Sequence, residues 1–126
     1  SAIANGGTLV TPHLVGQVAP ASKLELNANS LRIVRQGMLM TAGESGTAHY
    51  FQDLPFTIAA KTGTAQLGYN NERVNTWSTG YFPYDNPKYA FVYVMESGPY
   101  TNTLAASKVM RAIFGDMLLE TPEYTK

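Results

Sequence analysis

Phe56-Thr57-Ile58-Ala59-Ala60-Lys61-Thr62-Gly63-Thr64 reads as a β-strand whose inner half, Ile58-Ala59-Ala60, is small and apolar and whose far end is polar. Two later stretches share the extended character. One is Asn75-Thr76-Trp77-Ser78-Thr79-Gly80-Tyr81-Phe82; the other, Tyr89-Ala90-Phe91-Val92-Tyr93-Val94-Met95-Glu96, has the aromatic and β-branched enrichment that strands favour. A mostly polar link over 67–74, holding Asn70 and Asn71, joins the first to the second. Pro83-Tyr84-Asp85-Asn86-Pro87-Lys88, a turn signal with two prolines, joins the second to the third. Links this short leave neighbouring strands antiparallel.

Helices are expected on both sides of this unit. Downstream, residues 103–120 carry Ala106, Val109, Met110, Ile113, Met117 and Leu118 at helical spacing, with Asn102 or Thr103 as N-cap, and 121–126 read as a tail. Upstream, Asn29 or Ser30 can cap a helix over 31–40. Leu31, Val34 and Met38 would form its apolar face, with Arg32, Arg35 and Gln36 turned away, and Met38 and Met40 read as core filler. Residues 41–48 form a loop with glycine and serine, and 19–28 are mixed and turn-like. Residues 8–15 form a short extended stretch that Pro12 confines to an edge or a loop. The opening Ser1-Ala2-Ile3-Ala4-Asn5-Gly6-Gly7 reads as the last turn of a helix stopped by glycine, which suggests a piece of something longer. The order gives one domain over 1–126 of the α/β class in its α+β form, an antiparallel sheet flanked by helices.

Composition narrows the function classes. Nine basic and nine acidic side chains give a net charge of zero, with no polybasic run, so there is no field to hold nucleic acid. No apolar run approaches the ~20 residues that span a bilayer. The chain has no cysteine, which excludes disulfide frameworks, zinc ribbons and thiol catalysis while leaving the redox compartment open. His13 and His49 match no metal-ligand spacing. Asp53 follows His49 by four residues, but Pro55 close behind disfavours a helix that would pair them. Both histidines read as surface or turn residues, and no metal is expected.

Lys61-Thr62-Gly63-Thr64, followed by Ala65-Gln66, is the stretch that suits chemistry. Lys61 would bring positive charge near a carboxylate and near the proton-transfer network of a nucleophile. The hydroxyls of Thr62 and Thr64 can donate to that carboxylate, and Gly63 lets a substrate come close to the strand. The Thr64 N–H can serve as half of an oxyanion hole, and a peptide can pair with the strand edge. The plain alternative is a surface strand ending in a lysine and a turn.

These residues resemble the third signature of penicillin-binding proteins and serine β-lactamases, whose other two are Ser-x-x-Lys and Ser-x-Asn. The opening stretch from Ser1 through Leu14 is similar to the segment that follows the Ser-x-Asn motif in class B transpeptidases. Gly37-Met38, Gly46-Thr47-Ala48 and Trp77-Ser78-Thr79-Gly80-Tyr81-Phe82-Pro83 also resemble that family, so the likeness runs through nearly the whole chain. It implies the C-terminal part of a penicillin-binding transpeptidase or β-lactamase-like fold. It assigns Lys61 as the motif lysine, Thr62 as the adjacent hydroxyl, Gly63 as the close-approach glycine, and Thr64 as carboxylate contact and oxyanion donor. Gln66 and Trp77 are further candidates for substrate contact, although an aromatic in a strand beside such a motif is more often core.

The resemblance also has a gap. The seven serines are Ser1, Ser22, Ser30, Ser45, Ser78, Ser97 and Ser107; none has Lys three residues later or Asn two residues later. An acyl-enzyme needs a hydroxyl activated by an adjacent base, so this stretch alone is expected to be inactive and to form one wall of a larger site. The family implies peptidoglycan cross-linking on D-alanyl-D-alanine stem ends, capture of β-lactams, no cofactor, and work outside the cytoplasmic membrane by an anchored parent protein. It also implies self-association of the isolated chain through apolar surface left open. The alternatives are part of a serine β-lactamase or β-lactam sensor, or a non-catalytic binding or assembly module on the same fold.

Overall fold

The computed structural model describes residues 1–16, 21–101 and 104–125. Three long strands, β3 (Ala59–Leu67), β4 (Arg73–Phe82) and β5 (Tyr89–Pro99), form an antiparallel sheet in the order β3-β4-β5, so β3 is an edge strand. Their register places Gly63 opposite Trp77 and Thr62 opposite Ser78. Gly68 at φ +86° and Asn71 at φ 55° supply the left-handed residues that turn β3 into β4. Next to that turn, at the start of β4 and the C-terminal end of β5, a register shift between Val74 and Thr76 is held by the Ser97 N–H donating to Asn75 Oδ1 at 2.8 Å.

A second, two-stranded sheet pairs β1 (Thr8–Leu9) with β2 (Ser22–Lys23). Its second strand falls in the stretch expected to be turn-like. Two residues of mixed composition carry no alternation to read. Ahead of it, the Asn5 N–H bonds Ser1 O at 3.0 Å and the Gly7 N–H bonds Ala2 O at 2.7 Å, with Gly6 at φ +77°. This is a helical turn ended by a left-handed glycine, as the sequence suggests.

Helix α1 spans Ala28–Ala42 and α2 spans Ala106–Glu120. The cap of α1 is Asn27, whose Oδ1 accepts the Ser30 N–H at 3.1 Å, rather than Asn29 or Ser30. The expected caps of α2, Asn102 and Thr103, lie outside the described residues. Residues expected to be a tail form a 3-10 turn, Pro122–Thr125, and the Tyr124 ring meets Tyr89 edge-on at 5.7 Å.

The face of α1 differs from the expected one. Val34 and Met40 are 47% and 68% exposed, so neither fills the core, while Arg35 points inward. Arg35 Nε donates to Tyr81 Oη at 3.0 Å, its Nη2 donates to Tyr84 O at 3.1 Å, and the guanidinium lies over both rings. A planar, weakly hydrated cation packs against aromatic faces in a way that a count of apolar positions misses.

The core is aromatic. Phe114 of α2, 1% exposed, meets Phe51, Phe56, Phe82 and Phe91 at centroid distances of 5.1–5.8 Å, mostly edge-to-face. Spacing alone puts Ile113 on the inner stripe, yet Ile113 is 37% exposed and its neighbour Phe114 is the anchor. No helix among the described residues is long and apolar enough to cross a membrane.

Candidate active-site strand

Along β3 the chain passes from interior to surface within three residues. Ala59 and Ala60 are fully buried, whereas Lys61 is exposed and Thr62 and Gly63 are half-buried. Thr64, Ala65 and Gln66 are exposed. The sheet therefore grips one end of the strand and presents the other along an open edge.

Lys61 Nζ donates to the Thr62 carbonyl. Alternation in an antiparallel ladder places the Thr64 N–H on the same edge as that carbonyl. Thr62 Oγ1 lies 2.7 Å from Thr47 Oγ1, a hydrogen bond in which either hydroxyl can donate. The Lys61 ammonium and the Thr62 and Thr47 hydroxyls are thus tied together beside β3, and the Thr64 N–H faces the same side of the strand as the Thr62 carbonyl. That set can hold a carboxylate and polarise a carbonyl beside it.

Gly63 is not required by internal packing. A Cβ there would sit 3.5 Å from Trp77 Cβ, an ordinary contact. Trp77 is 40% exposed on the same face, so it is surface rather than core in this structure. Gln66 lies further along the strand, opposite Val74.

Thr47 joins the candidate site through a contact that periodicity could not find, because its partner is 15 positions away. The only signal is Gly46-Thr47-Ala48 as a short likeness. Its loop is tightly built. Ala48 is fully buried with its N–H on Thr41 O at 2.9 Å, and His49 Nδ1 donates to Gly46 O at 3.1 Å. A Cβ on Gly46 would fall 2.0 Å from Thr41 O.

A concavity of about 590 Å³ lies between the end of α1 and residues 51–58, and its lining includes none of 61–66. Its walls, among them Leu39, Phe51, Leu54 and Ile58, carry no titratable group, so the candidate edge and this hollow are different places. His13 is exposed at Thr11 O and His49 sits in the 3-10 turn His49–Phe51. No group of three His, Cys, Asp or Glu side chains able to hold a metal occurs among the described residues.

Comparison with known proteins bears on the family and the fold. The family model described as "Penicillin binding protein transpeptidase domain" matches residues 1–118. The chain is 28% identical over 148 aligned positions to the peptidoglycan D,D-transpeptidase MrdA of Escherichia coli K12, covering 94% of this chain and 23% of that protein. A solved complex of penicillin-binding protein 2 and MreC from Helicobacter pylori is similar at 33% identity and TM-score 0.70, over 94% of this chain and 23% of that one. Penicillin-binding protein 2B of Streptococcus pneumoniae shares the fold, with TM-score 0.72 at 23% identity over 96% of this chain and 23% of that one. The chain thus spans under a quarter of the length of these relatives.

Proposed function

The chain belongs to the penicillin-binding protein transpeptidase domain family, and from that premise we propose that it forms one wall of the active site of a serine-type peptidoglycan D,D-transpeptidase. The observation that carries the proposal is the open edge of β3, where Lys61 and Thr62 are tied together and Thr64 is exposed, beside a glycine that the fold itself does not need.

In this reading a stem peptide ending in D-alanyl-D-alanine lies antiparallel along β3. Its terminal carboxylate takes hydrogen bonds from the hydroxyls of Thr62 and Thr64, and Lys61 supplies the compensating charge. A serine from a part of the protein outside these 126 residues attacks the penultimate carbonyl. The Thr64 N–H stabilises the oxyanion, and the C–N bond to the terminal residue breaks. D-Alanine leaves with the proton on its amine. A second stem's amine then attacks the acyl ester, forms the cross-link, and returns the proton to the serine. Gly63 keeps the strand open to the donor, Trp77 offers an aromatic wall beside it, and Gln66 meets the donor further along. A β-lactam mimics the donor and stays on the serine. The substrate places the work outside the cytoplasmic membrane.

The test is intact mass of the full-length protein after benzylpenicillin, followed by peptide mapping. One adduct per molecule, mapped outside residues 1–126, is expected. Lys61→Ala should slow its formation on the order of a hundredfold. No adduct, or an adduct on a residue of this chain, would sink the reading.

A further inference from the structure

We propose that Thr47 is a positioning residue that sets the direction of the Thr62 hydroxyl: it donates to Thr62 Oγ1 so that the Thr62 proton points out toward the donor carboxylate. This inference deepens the reading above and rests on it. The two oxygens lie 2.7 Å apart, so one hydroxyl must be the donor to the other. A hydroxyl has a single proton. If Thr62 gave its proton to Thr47, only lone pairs would face an incoming carboxylate, and anion would meet acceptor. The opposite order leaves the Thr62 proton free and polarises it, since a hydroxyl that accepts one hydrogen bond donates the next more strongly.

The loop is built to hold Thr47 at that distance. The Thr41 carbonyl accepts the Ala48 N–H on one side of Thr47, and on the other side Gly46 approaches the same carbonyl so closely that no Cβ fits. Ala48 is fully buried, and His49 Nδ1 ties down the Gly46 carbonyl. Thr47 itself stays exposed between these anchors. The loop is fixed on the end of α1, and α1 packs against β3. The Thr47 hydroxyl is therefore referenced to the same framework as the strand it serves.

The experiment uses the full-length protein and the second-order rate constant for acylation by benzylpenicillin and by its methyl ester. Thr47→Val keeps the side-chain shape and removes the hydroxyl. It should slow acylation by the free acid about threefold to tenfold, the span of one neutral hydrogen bond. It should slow acylation by the ester clearly less, because an ester oxygen is an uncharged and weaker acceptor for the Thr62 proton than a carboxylate. Thr47→Ser should restore the free-acid rate to within about twofold. Equal loss on both compounds would make Thr47 a support of the strand rather than an orienter of the hydroxyl, and no loss on either would remove it from the site; both overturn the proposal. Thr62→Val is measured alongside. If it slows the free acid while Thr47→Val does not, only this inference fails. If Thr62→Val has no effect on the free acid, the reading of the strand itself fails.

Discussion

Gly80 and Gly63 lie in neighbouring strands of one sheet, and the fold needs only the first of them to be glycine. A Cβ on Gly80 would sit 2.2 Å from the Ala59 carbonyl oxygen and 2.9 Å from the Phe91 ring. A Cβ on Gly63 would meet Trp77 at 3.5 Å, an ordinary contact. The contrast extends to their surroundings. Around Gly80 lie Ala59, Ala60, Tyr81 and Phe82, all nearly or fully buried. Around Gly63 lie Lys61, Thr64 and Trp77, all exposed. At the packed end, the interior decides which residue is allowed. At the open end, the interior imposes nothing, which leaves the space that the proposed donor strand would take.

The packed end should break most severely at its centre. Phe114→Ala removes the ring that touches four other phenylalanines and should lower stability by about 3–5 kcal/mol, read by urea denaturation. A loss below about 1 kcal/mol would mean that the aromatic cluster is not the anchor. The glycine pair comes next. Gly80→Ala should cost about 1–3 kcal/mol through overpacking. Gly63→Ala should leave stability within about 0.5 kcal/mol and slow β-lactam acylation instead. Equal destabilisation by both would erase the contrast.

How much of this was legible follows the same division. The three long strands and their order were readable because β-branched and aromatic residues cluster between proline- and asparagine-bearing links. The Lys61–Gln66 stretch was legible as a candidate through its resemblance to the third family signature, since its residue types alone also fit a plain surface strand. Pairings that depend on distant neighbours were not. Arg35 looks like a solvent residue by periodicity, yet Tyr81 and Tyr84 lie 46 and 49 positions away and make an inward guanidinium favourable. Phe114 and Ile113 are adjacent, and only the position of four other rings decides which one turns inward. Thr47 has no signal beyond the short Gly46-Thr47-Ala48 likeness, because its partner Thr62 is 15 positions away.

The contact between α1 and β4 sharpens the comparison at intermediate strength. Arg35→Met keeps the aliphatic stem and removes the hydrogen bonds to Tyr81 and Tyr84; about 1–2 kcal/mol of stability should go with them. Burial pushes the Tyr81 phenol up, and the bond from Arg35 pulls it partly back. The folded state therefore favours the neutral phenol. Its contribution is present below the ordinary phenol value of about 10 and is lost as pH rises through the higher folded value. Tyr81→Phe should flatten the alkaline limb of stability against pH. An unchanged limb would show that other tyrosines govern it.

The smallest effect should come from a pair that looks strong on paper. Arg111 Nη2 and Nε donate to the two oxygens of Asp53 at 2.6 and 3.2 Å, a forked contact between α2 and the residues after the 3-10 turn. The hydrogen bond from Arg111 holds the Asp53 carboxyl below its usual range. The sign follows: the folded state binds the proton more weakly than the unfolded chain, so the pair favours folding above the ordinary carboxylate range and its contribution fades as pH falls through the lowered value. Yet the side chains are 38% and 57% exposed, where water and salt screen the attraction and ordering two long groups opposes it. Asp53→Asn should lower Tm slightly at neutral pH and low salt, and not at all in high salt or strong acid. A drop as large as that of Gly80→Ala would mean that this exposed fork, and not only the aromatic centre, fixes α2 on the sheet.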